Sequence, residues 1–196
     1  GCNMWDWSNQ PIQKKTPAHG SLTSVYEEIS LSRPSQSPAF YRPNTNIENY
    51  TLEEMRHYLQ PVLAQYGLHK MKLILKDYTS QSWKEMRSAF SDYQRARKNF
   101  LKLIAYSETA NLIKLGLNNC EIALLKEGVT PENFNTHIKI PFDFGGSLDF
   151  ENFSFIRTHH THSNIHRVLD MQITNGFFLK HQKIFVPAFE GKFYYD

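Results

Sequence analysis

Two cysteines in 196 residues, Cys2 and Cys120, are too few for a disulfide framework or a four-thiolate zinc site. No apolar run approaches the roughly 18 residues that a membrane-spanning helix needs. Charge of one sign is scarce as well: 22 Lys+Arg against 19 Asp+Glu leave +3, which does not by itself demand a nucleic acid. There is no glycine-rich phosphate loop, no Gly-x-Ser-x-Gly elbow and no Cys-x-x-Cys pair, so P-loop, serine-hydrolase and dithiol chemistry lack their usual signatures. What is present is 40% hydrophobic and 14% aromatic residues, enough for a core and too much for global disorder. The length suits one domain, with or without an appendage. Histidine is the unusual abundance: nine in all, five of them between His137 and His166.

Residues 1–49 hold five of the nine prolines and seven serines, with only short apolar clusters. That composition predicts an extended lead segment, with Trp5 and Trp7 as anchors on the rest of the chain. From Tyr50 the pattern changes. Thr51 followed by Leu52, Glu53 and Glu54 is a helix start running towards Gly67, with Pro61 expected to kink or divide it. Met71–Leu75 is a short apolar run of either type. Trp83, Met86, Phe90, Tyr93, Arg97, Phe100, Leu101 and Ile104 follow the rhythm of an amphipathic helix capped by Ser80 or Ser82. Its other faces carry Lys84, Arg87, Arg95, Lys98 and Lys102, which read as either a solvated face or a phosphate-facing stripe.

Asn118 to Glu121 starts a short helix that Gly128 ends, and Cys120 is expected as a small buried residue of it. Beyond it the character turns β-like, at Thr136–Pro141 and again at Phe150–Ile156, around a Phe-Asp-Phe-Gly-Gly turn. A helix from Ser163 to Met171 and a terminal hairpin over Phe177–Tyr195 complete the order. The fold class is α+β: a helical N-terminal part, a hairpin-helix unit and a C-terminal β-hairpin. The chain divides into the lead segment 1–49, a helical part 50–107, and 108–196.

His162 and His166 are four apart, so on a helix both imidazoles project from one face. His137, in the first strand of the central hairpin, is placed to join them. Imidazole ligation suits zinc or nickel and leaves an open coordination position. This run resembles the HNH (ββα-metal) nuclease domain of secreted bacterial toxins, the colicin and pyocin DNases and Rhs-type effector tips. The matching residues are Gly128, Pro131, Thr136-His137-Ile138-Lys139-Ile140-Pro141, Gly145-Gly146, Phe150-Glu151-Asn152-Phe153 and His162-x3-His166. The ending, Ile184 to Tyr194, is similar to the tail of several such toxins. The likeness covers roughly residues 108–195.

The resemblance implies a DNA endonuclease holding one divalent metal ion (Zn, Ni or Mg) through His137, His162 and His166, with Asn152 tying the hairpin loop. It also implies secretion, action in the cytoplasm of a target cell, and an immunity protein or a host protein as partner. One departure stands out: Ile138 occupies the place of the general-base histidine, and isoleucine cannot accept a proton. A positioned general base contributes about 10²–10⁴-fold to a rate. His159 or His160 could stand in as base, or both are exposed loop histidines. Ile138→His is accordingly expected to raise activity. Arg157 and Arg167 flank the histidines and could clamp a phosphate. Lys139 shares a strand face with His137 and could meet DNA or solvent. The alternative function is a catalytically inactive HNH-like module that binds a protein partner or nucleic acid.

Overall fold

The computed structural model describes residues 47–174 and 176–195, so most of the lead segment, Trp5 and Trp7 included, lies outside the described residues. Three helices start on the same local device. Helix α1 (Leu52–Gln65) is capped by Thr51, α2 (Trp83–Ser107) by Ser82 and, after the short α3 (Thr109–Lys114), α4 (Asn119–Lys126) by Asn118. In each case the cap oxygen accepts from the backbone N–H three residues on, and the glutamate there (Glu54, Glu85 or Glu121) accepts from the cap N–H. Pro61 lies inside α1 without dividing it, because Met55, Leu59, Val62 and Leu63 are buried on both sides of it. Cys120 is half-buried, and no described cysteine is a free thiol.

The strands form two separate antiparallel ribbons. Strand β1 (Lys72–Asp77) resolves the ambiguous Met71–Leu75 run. Strands β2 (Phe134–Ile138) and β3 (Phe153–Arg157) make the central hairpin, with His137 opposite Ser154. The fold is α+β, but the C-terminal hairpin does not form. Gly176 (φ 84°) and Gln182 (φ 53°) bracket a helical turn that buries Phe177 and Phe178. Only the following strand β4 (Lys183–Ala188) is extended, and it pairs with β1, Leu75 opposite Phe185. A short aromatic run fits a buried helix as well as a strand, so periodicity alone cannot separate them. The helix before that turn is α5 (Ser163–Thr174), and the turn itself is α6 (Phe177–His181).

Two hydrophobic cores result. One joins α1, β1, α5, α6 and β4 and takes Ile156 from the hairpin. The other joins α2, α3 and α4 and takes Phe134, Ile138, Phe153 and Phe155. The first core and the β1–β4 ribbon draw on both sides of position 107, as does the packing of α2 on α4. Buried Gln172 fastens α5 to β4: its Nε2 donates to Phe185 O (2.8 Å) and its Oε1 accepts from Phe185 N (2.7 Å). Among the described residues, no helix is long and apolar enough to cross a membrane.

Candidate metal centre

Successive side chains of a strand point to opposite faces. On β2 that puts Phe134, Thr136 and Ile138 on one face and Asn135 and His137 on the other. On β3, Phe153 and Phe155 share the first face, and Ser154 and Ile156 the second. The first face enters the core beside α2; the second meets the start of α5.

Between β3 and α5 the chain winds irregularly over Thr158–His162, with His159 extended (ψ 130°) and His160 at φ 72°. Positive φ at a non-glycine residue is strained and persists where surrounding contacts enforce it. Those contacts are visible: Thr158 N donates to Asn133 O (2.9 Å), the Thr158 hydroxyl bonds the Asn135 side chain, and Thr161 is buried. Asn164 Nδ2 donates to Tyr66 O (2.9 Å) and so docks the first turn of α5 on the end of α1.

The result is a convergence of three imidazoles. One ring nitrogen from each of His137, His162 and His166 lies within 4.8 Å of the other two. His162 Nε2 and His166 Nε2 are 3.0 Å apart, their ring planes at 82°. His137 is buried, and its ring meets those of His162 and His166 edge-on at 5.7 and 6.2 Å between centroids. A tetrahedral ion about 2.0–2.1 Å from each nitrogen asks for separations of about 3.3 Å. Three neutral nitrogen donors within a small side-chain adjustment of that spacing fit a borderline-soft divalent ion such as zinc or nickel.

Asn152 holds the loop of this hairpin. Its Oδ1 accepts from Ile140 N (2.9 Å), and its Nδ2 donates to Ile140 O (2.9 Å) and Ser147 O (2.7 Å). Gly146 has no room for a side chain, since an added Cβ would stand 1.7 Å from Ile140 O. The Gly-Gly turn and the asparagine are thus two parts of one closure.

The other candidates fall elsewhere. Ile138 is 2% exposed and packs in the core with Phe153, on the face turned from the histidines. Arg157 leaves β3 on that same face: it donates to Leu115 O and stacks on Phe134 at 5.2 Å, so it is not a phosphate clamp at the histidines. Arg167 donates to Asn164 Oδ1 (3.0 Å) and lies over Tyr66, supporting the α5–α1 joint. Lys139 follows β2; its Nζ donates to Gly191 O (2.6 Å) over the Phe189 ring, and half-burial pulls its pKa down. His159 and His160 are exposed and outside the converging group. Sequence reasoning passed over Asn135 and Thr158, which position the turn; only their closeness to His137 and His159 marks them.

The chain is 29% identical over 145 residues to YhhZ of Escherichia coli K12, a protein described as uncharacterised. The match takes in 71% of the chain and 35% of that relative, so the chain spans about a third of its length. No protein-family model matches, and no solved structure matches.

Proposed function

We propose that the chain is a metal-dependent DNA endonuclease domain of the HNH type, from a secreted bacterial toxin or effector. The observation that carries the reading is the convergence of His137, from a strand, with His162, from the turn before α5, and His166, from the first turn of α5. The loop closure by Asn152 and Gly146 supports it, because it fixes the hairpin that presents His137. When bound, a divalent ion would polarise a phosphodiester and favour departure of the 3′-oxygen. The chain's own residues hold the three nitrogens in place and bury one side of the site against the hairpin. Exposed His159 and His160, on the strained turn, are the imidazoles left for moving a proton.

The test is titration of the full chain with Zn²⁺ and Ni²⁺, followed by plasmid nicking with those ions and Mg²⁺. His137→Ala and His166→Ala should each weaken Zn²⁺ binding at least tenfold and remove nicking. Nicking that persists at the parental rate in a folded His137→Ala protein overturns the reading. The second reading is a metal-holding HNH-like module that binds nucleic acid or a protein partner without turnover. It is favoured by the apolar burial of Ile138, which leaves no imidazole in the place the family uses for its base. Metal binding with no nicking under any ion decides for it.

A further inference from the structure

Helix α2 carries a second, chemically distinct feature on its outer side. At 3.6 residues per turn, Lys84, Arg87, Arg95, Lys98 and Lys102 all fall within about 80° of its circumference. At 1.5 Å per residue the row from Lys84 to Lys102 is about 27 Å long. All five are exposed, and the buried residues Met86, Tyr93, Phe100 and Ile104 lie on the opposite side. Glu85 and Asp92 fall outside this sector. Arg95 makes a loose pair with Asp92 at 3.9 Å; among the described residues, Lys84, Arg87, Lys98 and Lys102 make no ion pair. The row is also held from below. A Cβ added at Gly128 would stand 2.8 Å from Lys98 Cγ and 3.5 Å from Lys102 Cε, so both stems lie across the end of α4. Beside them Lys126 sits over the 71% exposed ring of Tyr106 at 5.2 Å.

We propose that this stripe is a docking surface for the sugar-phosphate backbone of a nucleic acid. A nearly unpaired linear array of cations is complementary to a regularly spaced polyanion. Placing phosphates on it releases their condensed counterions without reading any base. The apolar face of the hairpin packs on α2, whereas the histidines leave from its other face, so the stripe and the metal centre occupy different sides of the molecule. The stripe is therefore an anchor that grips nucleic acid away from the histidines. The choice of nucleic acid over an acidic protein rests on the nuclease reading; the charge pattern stands without it.

Binding of a labelled 30-base-pair duplex of mixed sequence to the full chain, followed by anisotropy across a salt series, tests the proposal. Each phosphate contact contributes about 0.9 to the slope of log K against log salt. Lys84→Gln, Lys98→Gln and Lys102→Gln together should lower the slope by about 2–3 and weaken binding at low salt more than tenfold, with the circular dichroism unchanged. An unchanged slope in the triple variant overturns the docking surface, whatever becomes of nicking. So does a triple variant that keeps duplex affinity while losing binding to polyglutamate, which would make this an acidic-protein surface. Loss of nicking in His137→Ala with duplex binding retained would instead leave the nuclease reading intact and separate.

Discussion

The two faces of the β2–β3 hairpin are made from the same ten residues and do opposite things. One presents Phe134, Ile138, Phe153 and Phe155 to α2, with Phe134 and Phe155 stacked at 4.9 Å and Phe153 stacked on Phe100 at 5.3 Å. The other presents Asn135, His137 and Ser154 to the turn and helix that carry His162 and His166. A period of two is enough to divide packing from chemistry. It also explains why neighbours in sequence have unrelated surroundings here: residue 137 lies in the histidine cluster and residue 138 lies in the core.

The largest effects should come from the packing face. Phe153→Ala removes a fully buried ring and its stacks on Phe100 and Tyr93, at a cost of about 3–5 kcal/mol. Urea denaturation should show this as a lower midpoint, with zinc affinity falling only as the folded population falls. If zinc affinity dropped while the fold stayed intact, the two faces would not be separable.

Ile138→His is the sharpest test of the division. The likeness to HNH nucleases led to an expected gain of activity from this change. Burial of Ile138 among aromatic rings reverses that expectation: an imidazole there puts a polar ring into an apolar cluster and should destabilise the fold by about 2–4 kcal/mol, without faster nicking. A stable, faster variant would mean that position 138 reaches the histidine side after all. Asn152→Ala comes next. It leaves Ile140 N–H without its acceptor and frees two carbonyls, worth about 1–3 kcal/mol in melting experiments, and it should loosen zinc binding more than Phe153→Ala does for the same loss of stability.

Much of this was legible locally. Three of the helix caps are a residue and a glutamate three positions on, so Thr51, Ser82 and Asn118 announce their helices without help from the rest of the chain. The same holds for His162 and His166, four residues apart, and for Asn152 beside its Gly-Gly turn. What was not legible depends on distant pairing. Strand β1 and strand β4 meet across more than a hundred residues, and nothing in Lys72–Asp77 names Lys183–Ala188 as its partner. Phe177 and Phe178 fit a strand or a buried turn equally well until Gly176 and Gln182 are seen with positive φ. Arg157 was misread for a subtler reason. Its closeness to the histidines in sequence suggested a shared site, while alternation along β3 sends it to the packing face.

The smallest effect concerns Lys139, which is half-buried and bonded to the C-terminal segment at Gly191. Burial disfavours its charged form, so its pKa in the folded protein is below that of the unfolded chain. Between those two values the unfolded state binds more protons, and stability therefore rises with pH there. The contribution is complete above the unfolded value, near 10.4, and is lost as pH falls through the folded one. Lys139→Met removes the titration while keeping the stem over Phe189, so the variant's stability should rise less between pH 8 and pH 10.5. It also loses the bond to Gly191 O, which lowers its stability by a pH-independent amount. Melting temperatures of both proteins across that range separate the two, since one changes the slope and the other only the offset. Equal slopes would mean that Lys139 is as well solvated as an ordinary surface lysine.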